Sequence, residues 1–336
     1  MHMADALVSP PVATGMAVAS LAVGAYSIFR IKKENKPENI PVMGVMGAFV
    51  FATQMVNFTI PGTGSSGHLC GGLLLSALIG PYGGFLSMMA ILLLQCLLFA
   101  DGGLMAYGCN VWNMAFYACF FGYFCIYKPI LSKNPSKKKI LIASILGSIL
   151  SLQLGAFSVT LETLISGVTE LPFLTFLSFM QPIHLAIGFV EGLITSAVLI
   201  FVYNTRPEML NINEKSNEFS FKKVIAILGI VTILIGGGIS LLASSSPDGL
   251  EWSMENVAGS TELDSKGSAY DKASEIQEKT AILPDYSISN SNNEILGTSF
   301  SGILGSVLVA VILIGGSLIF RFYKKCAKNE QTRKSA

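Results

Sequence analysis

Long apolar runs, each close to the length needed to cross a bilayer, constrain this chain more than any other feature. A membrane-spanning helix needs about 20 predominantly apolar residues. Hydrophobic residues form 51% of the chain and charged residues only 13%, a balance that is not typical of a soluble protein of this length. The long runs lie at 10–29, 39–58, 84–100, 105–127, 140–161, 182–203, 222–244 and 299–320. Together with a shorter glycine-rich run, 68–80, expected to form a buried hairpin with the next segment, they predict an all-α integral membrane protein with nine spans.

The basic residues are grouped in four polar segments, and this grouping predicts the orientation of the chain. All but three of the 22 Lys and Arg residues lie at 30–36, 128–139, 206–223 and 321–334. Basic segments between spans remain in the cytoplasm. We therefore expect a multi-pass protein of the cell membrane, with its amino terminus outside and its carboxyl terminus in the cytoplasm.

Polarity also divides the chain into two membrane-embedded blocks. Residues 1–203 are predicted to form a compact multi-span helical bundle, and 204–223 form a polar cytoplasmic linker. Residues 224–323 are predicted to form a two-helix hairpin whose extracytoplasmic loop, 245–298, is acidic, and 324–336 form a basic cytoplasmic tail. The loop has ten acidic residues, three lysines and little apolar content, a composition that favours partial disorder. Its apolar anchors are Trp252 and the stretch 284–286.

The first two residues, Met1 and His2, form a potential metal chelate. Because residues 1–9 contain no basic segment typical of a signal peptide, we expect no cleavage and a free amine at Met1. The Met1 amine, the His2 amide nitrogen and the His2 Nδ1 atom can close two rings around one ion. If the amide is deprotonated, the three nitrogens lie in a plane. Square-planar nitrogen coordination suits Ni(II) or Cu(II), and Co(II) only in a low-spin state.

His68 is the candidate for the fourth nitrogen of this square. It follows the outward turn PGTGSSG at 61–67, whose lack of side-chain bulk lets the backbone approach another segment closely. His2 and His68 are therefore predicted to lie on the same side of the bilayer, as a shared site requires. Capping of a helix would explain His68 alone, but its combination with a Met-His terminus favours a metal site formed by Met1, His2 and His68.

Five polar residues in or near the spans could orient these ligands. Gln54 and Asn57 end the second span on its outer side, and Asn110 lies near the outer end of a later span. His184 and Glu191 are seven residues apart and share one helix face, so Glu191 could accept a hydrogen bond from His184. Polar residues in spans usually mark function or hydrogen bonds between helices. For His184 we favour a hydrogen bond, or support of the ligands, over direct binding of the ion.

Several classes of function are disfavoured by what the sequence lacks. It contains no HExxH zinc motif, no Walker phosphate-binding loop and no GxSxG nucleophile motif. We therefore expect that the chain is not an enzyme and that any ATP hydrolysis takes place in partner proteins. The formal net charge of +1 disfavours nucleic acid as a partner.

Four motifs in residues 1–203 resemble the CbiM/NikM substrate-binding (S) subunits of energy-coupling factor (ECF) transporters for cobalt and nickel. They are MHMADALVSP at 1–10, GTGSSGHLCGGLL at 62–74, FADGGLMAYGCNVWNMA at 99–115 and HLAIGFVEGLITSAVL at 184–199. The later block is similar to the small CbiN/NikN accessory component, here fused to the same chain. Its motifs are PDGLEWS at 247–253, PDYS at 284–287 and GTSFSGILG at 297–305.

The resemblance implies high-affinity capture of Ni²⁺ or Co²⁺ from outside, with the ion as the transported substrate. In this family the metal is held by the terminal amine, the second-residue histidine and the histidine of the GSSGH loop, which correspond to Met1, His2 and His68. The resemblance also implies three partners in or at the lipid membrane, namely a transmembrane coupling (T) subunit and two cytoplasmic ATPase subunits.

Three other functions remain as alternatives. An intramembrane metalloenzyme using His68, His184 and Glu191 would need an open coordination position and a positioned base, for which the sequence offers no paired motif. A second alternative is an ECF-type membrane carrier of an organic vitamin. A third is a non-transporting membrane metal sensor or assembly protein. The sequence does not decide between nickel and cobalt. Raw affinity cannot decide either, because nitrogen ligands bind copper more tightly than nickel and nickel more tightly than cobalt.

Overall fold

The computed structural model describes residues 1–34, 39–212, 219–288 and 294–335, which form helices and one small β-hairpin. Residues 213–218 of the predicted linker and 289–293 of the predicted extracytoplasmic loop lie outside the described residues. The helices are α1 (Pro10–Glu34), α2 (Asn39–Gln54), α3 (Gly72–Ile79), α4 (Pro81–Phe99), α5 (Tyr107–Leu131), α6 (Lys137–Ser166), α7 (Phe173–Thr205), α8 (Phe221–Gly237), α9 (Gly249–Ala258), α10 (Ser268–Thr280) and α11 (Glu294–Ser335). The strands are β1 (Phe58–Ile60) and β2 (Ser65–Gly67).

Six helices among the described residues are long and apolar enough to cross a membrane, which confirms the prediction of a multi-pass helical protein. They are α1, α4, α5, α6, α7 and the Gly297–Ile319 part of α11. The other three of the nine predicted spans correspond to shorter helices: α2 has 16 residues, α3 has eight and α8 has 17. For α2 the reason is local, because the apolar run continues past the end of the helix into β1.

Glycines with positive φ set both ends of α3. Gly71, before its first residue, has φ of 85°, and Gly80, after its last, has φ of 83°. Side chains other than glycine rarely adopt this backbone conformation. All eight residues of α3 are buried, so this helix is an internal element and not a span of its own.

The β-hairpin places His68. Strands β1 and β2 pair antiparallel, with Phe58 opposite Gly67, and Gly62 and Gly64 have positive φ in the turn between them. Gly67 lies against α7, where an added Cβ would lie 2.6 Å from the Ile187 side chain. A residue without a side chain is therefore needed at position 67, and His68 follows it directly.

The last two membrane helices, α8 and α11, pack on each other and on α2. Gly302 of α11 faces Gly236 of α8 so closely that an added Cβ would overlap the Gly236 carbonyl oxygen. Gly47 of α2 faces Leu313 of α11 in the same way. The first contact joins the two helices of the carboxyl-terminal block, and the second holds that block against the bundle.

The acidic segment between α8 and α11 is folded in its described part, 245–288, although its composition favours disorder. It contains α9 and α10 and contacts the end of the bundle that carries the amino terminus. The Trp252 indole donates to the Thr63 carbonyl at 2.9 Å, and the Tyr270 hydroxyl donates to the Val8 carbonyl at 2.9 Å. A polar segment can fold in this way because the bundle supplies the apolar surface that it lacks.

Candidate metal centre

The amino-terminal segment is held inside the bundle. The Met3 amide donates to Asn110 Oδ1 at 2.7 Å, and Asn110 Nδ2 donates to the Met3 carbonyl at 3.1 Å. The same carbonyl accepts from the Gly103 amide at 2.9 Å, and Asp5 Oδ1 accepts from the Ala106 amide at 2.9 Å. Met1 itself is buried, with only 5% of its surface exposed. The terminal amine is therefore fixed by neighbouring elements.

The structure brings the three predicted ligands together. The Met1 amine lies 3.5 Å from Nε2 of His68, and the His2 ring stacks on the His68 ring with centroids 5.3 Å apart. His68 Nδ1 lies 3.1 Å from the Leu69 carbonyl and donates to it, so Nε2 carries the lone pair. Metal–nitrogen bonds of about 2 Å place adjacent corners of a square about 2.8 Å apart. A small movement would therefore bring the amine and Nε2 to neighbouring corners.

His2 has polar partners at both ring nitrogens. Its Nδ1 atom lies 3.2 Å from Asp101 Oδ1, and its Nε2 atom lies 3.3 Å from Gln95 Oε1. Gln95 Nε2 donates to Gln54 Oε1 at 2.9 Å, and Gln54 Nε2 donates to the Cys70 carbonyl at 2.8 Å. This row of amides links His2 to the His68 loop. Binding of an ion through Nδ1 requires the His2 ring to leave Asp101.

Asp248, from the acidic segment, forms an ion pair with the Met1 amine. The pair uses Asp248 Oδ2, while Oδ1 accepts from the amides of Leu250 and Glu251 at 2.7 and 3.0 Å. Glu251 in turn accepts from the Asp248 amide at 2.9 Å, which completes a capping box at the start of α9. One carboxylate therefore starts a helix and neutralises the terminal amine.

Backbone hydrogen bonds fasten this acidic segment to the His68 hairpin. The Ser66 amide donates to the Pro247 carbonyl at 2.8 Å, and the Ser66 hydroxyl donates to the Ser246 carbonyl at 2.7 Å. Ser66 and His68 are two residues apart, as are Ser246 and Asp248. These bonds consequently hold the Asp248 carboxylate close to the His68 imidazole.

Burial and charge set the protonation of the three candidate ligands. Burial, then the nearby Met1 ammonium, lowers the pKa of His68 to about 3. Burial also lowers the pKa of His2, although Asp101 opposes this effect. Burial alone would lower the pKa of the Met1 amine, but the attraction of Asp248 outweighs it and the pKa is raised. At neutral pH both imidazoles are therefore neutral and able to bind metal, whereas the amine must first lose a proton.

The other residues predicted to support the site have different contacts from those expected. Glu191 does not bond to His184. Its carboxylate oxygens accept from the amides of Cys70 and Gly71 at 3.0 and 3.1 Å, which fixes the chain just after His68. Asn57 contributes its carbonyl, which accepts from the Ser244 amide at 2.8 Å. Helix periodicity placed His184 and Glu191 on one face, but it could not show which backbone amides would reach the carboxylate first.

His184 lies at a small cavity next to the candidate ligands. Its Nδ1 atom is 2.8 Å from the Met180 carbonyl, and its Nε2 atom has no hydrogen-bond partner among the described residues. The cavity has a volume of about 10 Å³ and is bordered by Met1, His68, His184 and Asp248, among others. That volume is enough for one water molecule or one ion.

Side chains alone do not form a metal site here. In the part of the chain that the structure describes, no group of three or more His, Cys, Asp and Glu residues could hold an ion. The candidate site differs from a site made of side chains, because two of its four nitrogen donors, the Met1 amine and the His2 amide, belong to the main chain.

Three residues at this site were not predicted from the sequence: Gln95, Asp101 and Asp248. Asp101 lies in the FADGG motif and Asp248 in the PDGLE motif, so both were inside segments already noted for their pattern. The D-x-x-E spacing of Asp248 and Glu251 is also a helix-start pattern that could have drawn attention to this acid. No comparable pattern marks Gln95.

The fold and this cluster define a polytopic helical membrane protein with a nitrogen-rich centre at its amino terminus. Residues 2–209 match the CbiM family, described as the cobalt uptake substrate-specific transmembrane region, and residues 222–322 match the PDGLE domain. The chain therefore belongs to the CbiM family and carries a fused PDGLE domain. This confirms the resemblance found in the sequence motifs.

Relatives and a solved structure support the same assignment. The chain is 32% identical over 312 residues to a protein of Archaeoglobus fulgidus named as a fused nickel transport protein, NikMN, with 93% of this chain and 96% of the relative covered. It is 30% identical over 267 residues to a Lactiplantibacillus plantarum protein named as a fused nickel transport protein, LarMN, with 76% and 79% covered. A crystal structure described as a truncated transition metal transporter matches 60% of this chain and 98% of its own at a TM-score of 0.53 and 29% identity.

Proposed function

We propose that this chain captures Ni²⁺ outside the cell and is the substrate-binding subunit of an uptake transporter. The observation that carries the proposal is the position of the Met1 amine, 3.5 Å from Nε2 of His68 and beside the stacked His2 ring. The His2 amide lies between the amine and the imidazole along the chain. These four nitrogens can form a square around one ion.

Nickel is favoured over cobalt by two considerations. A square-planar set of nitrogens is the geometry preferred by Ni(II), whereas Co(II) adopts it only in a low-spin state. Two relatives whose matches extend into the carboxyl-terminal block are named for nickel transport. Copper would bind the same nitrogens more tightly, so selection against it must depend on metal availability.

The size of the cavity disfavours an organic vitamin as the substrate. Sites for small organic molecules have volumes of about 300–1,000 Å³. The cavity bordered by Met1, His68 and His184 has about 10 Å³. It is therefore far smaller than the space that an organic vitamin would need.

Binding of the ion releases two protons and breaks two contacts within the protein. The Met1 ammonium loses its proton and leaves Asp248, the His2 amide loses its proton, and His2 Nδ1 leaves Asp101. The two carboxylates then remain beside a dipositive ion and a deprotonated amide, so the buried centre has the same net charge before and after binding. Because protons compete for the nitrogens, binding weakens as the pH falls.

Import of the ion depends on the orientation of the chain in the membrane and on partner proteins. The basic segments support an amino terminus outside and a carboxyl terminus in the cytoplasm of a cell-membrane protein. In this proposal a transmembrane coupling subunit and two ATPase subunits drive the release of the ion to the cytoplasm, in the manner of ECF transporters.

The test is the metal content and visible absorption of the purified protein with an unextended amino terminus. We expect one Ni²⁺ with the yellow band of a low-spin planar complex, and loss of both in His2→Ala and His68→Ala. Thr232→Ala is the control, because this buried hydroxyl donates to Leu228 within α8. Retention of the band in both histidine variants would refute the site, and cobalt bound at the same nitrogens would change only the substrate.

A further inference from the structure

His184 has a buried nitrogen lone pair that is not among the four ligands of the proposed planar site. The ring is 1% exposed, and its Nδ1 atom donates to the Met180 carbonyl at 2.8 Å. The proton is therefore on Nδ1, and Nε2 is an acceptor. Nε2 is buried without a hydrogen-bond partner in the described part of the chain. A buried acceptor without a partner is destabilising, so a ligand at Nε2 would be favoured.

The space in front of this nitrogen is kept open by a glycine. A Cβ added at Gly249 would lie 3.1 Å from Cε1 and 3.3 Å from Nε2 of His184. The residue beside it, Asp248, supplies the carboxylate that pairs with the Met1 amine. The start of α9 therefore places a negative charge next to His184 and leaves room at Nε2.

The cavity at Nε2 is shared with the candidate metal ligands. Met1, His68, Cys70, His184 and Asp248 all border it. Its volume of about 10 Å³ holds one ion or one water molecule. Met1 and His2 belong to the terminal segment, whereas His184 belongs to the spanning helix α7. An ion that moves from the former to the latter passes from the terminal segment to a helix of the bundle.

We propose that this cavity is a second position for the ion, occupied on its way inward, with His184 Nε2 as the new ligand. This inference rests on the proposed function. His68 borders both positions and can keep its bond while the terminal amine and His2 release the ion. The Asp248 carboxylate offsets the charge of the ion in both positions. The His184 imidazole is a suitable ligand for nickel, and a planar complex is open to a fifth ligand above its plane.

The test separates capture from transfer by replacing His184 with asparagine. Asparagine places its amide near the position of Nδ1, so it can still donate to Met180, but it has no atom at the position of Nε2. We expect His184→Asn to leave the Ni²⁺ dissociation constant within about threefold of the unmodified protein and the absorption band unmoved. The initial rate of Ni²⁺ uptake should fall about tenfold or more. Uptake is measured in cells in which the unmodified chain supports it.

Two variants complete the design. His184→Gln guards against misfolding of the asparagine variant and should slow uptake in the same way, because an amide is a weaker nickel ligand than an imidazole. Ser178→Ala, at an exposed position of α7 whose hydroxyl bonds within the helix, should change neither quantity.

Two results would overturn the inference. Normal uptake by His184→Asn would mean that the cavity holds only water. Loss of binding in proportion to uptake would mean that His184 supports the planar site instead. Failure of the proposed function is distinguishable from both, since it would appear as Ni²⁺ binding that survives His68→Ala in the protein with an intact His184.

Discussion

The Met1 amine lies 3.5 Å from Nε2 of His68, although the two residues are 67 positions apart in the chain. Each is held by its own neighbours. The Met1 end is fixed through Met3, which is bonded to Asn110, and His68 is fixed by the Leu69 carbonyl. Neither anchor depends on a bound ion. The fold therefore holds Met1 and His68 close together, and the changes that should weaken the centre include changes to the anchors as well as to the ligands.

Extension of the amino terminus tests the role of the Met1 amine. Four added glycines convert the amine to an amide and move the new amine away, so Ni²⁺ binding should be lost. A single added residue has another effect, because the new amine, two amides and His2 Nδ1 then supply four planar nitrogens by themselves. Titration with Ni²⁺ should show that binding to the singly extended chain survives His68→Ala. Tight binding by the tetraglycine-extended chain that is lost on His68→Ala would exclude the Met1 amine as a ligand.

Removal of the Asn110 side chain tests the anchor of the terminal segment. Asn110→Ala deletes two hydrogen bonds to the Met3 backbone and leaves buried polar groups without partners. We expect Ni²⁺ affinity to fall about 10- to 100-fold, as is usual when groups that orient metal ligands are removed. Asn256→Ala is the matched control, because its amide donates to Trp252 within α9. Equal affinity for the two variants would show that the terminal segment does not need this anchor.

A methyl group at Gly103 tests how tightly the same segment fits. An added Cβ would overlap the Asp5 carboxylate and crowd the Asp5 amide, so Gly103→Ala should displace the turn after Met3. We expect weaker Ni²⁺ binding and a lower melting temperature. Gly15→Ala in α1 is the control, since an added Cβ there meets no described residue within 4 Å and alanine favours the helix. The two variants should differ clearly in a Ni²⁺ titration.

Local sequence patterns predicted the features of this molecule that depend on residues close together in the chain. Hydropathy identified the long helices, and the Met-His terminus with the small-residue turn before His68 identified three residues that the structure places together. Their role as metal ligands is still a prediction. Asp248 could not be assigned in this way, because an acid in a polar, negatively charged segment is most simply solvated. Only the docking of that segment on the hairpin brings its carboxylate to an amine 247 positions away.

Gly302 offers a test of how the two helices of the carboxyl-terminal block, α8 and α11, pack on each other. A methyl group there would overlap the Gly236 carbonyl oxygen, and since this contact is with backbone, α8 and α11 must separate. Overpacking of this kind costs about 1–3 kcal/mol. Gly302→Ala should therefore lower the melting temperature of the full chain in detergent. Gly315→Ala lies in the same helix, where none of the described atoms is within 4 Å of the added Cβ, and should not lower it. Equal melting temperatures would argue against this packing.

The two oxygens of Asp248 allow its structural and electrostatic roles to be separated. Asp248→Asn removes the charge that faces Met1 but keeps an oxygen to accept from the Leu250 and Glu251 amides, whereas Asp248→Ala removes both. The alanine variant should therefore lose the helix cap as well, at a further cost of about 1 kcal/mol. Hydrogen exchange of these two amides should be about fivefold faster in Asp248→Ala than in Asp248→Asn. Because both variants lose the ion pair with Met1, that ratio measures the cap alone, and equal exchange rates would show that Oδ1 does not start α9.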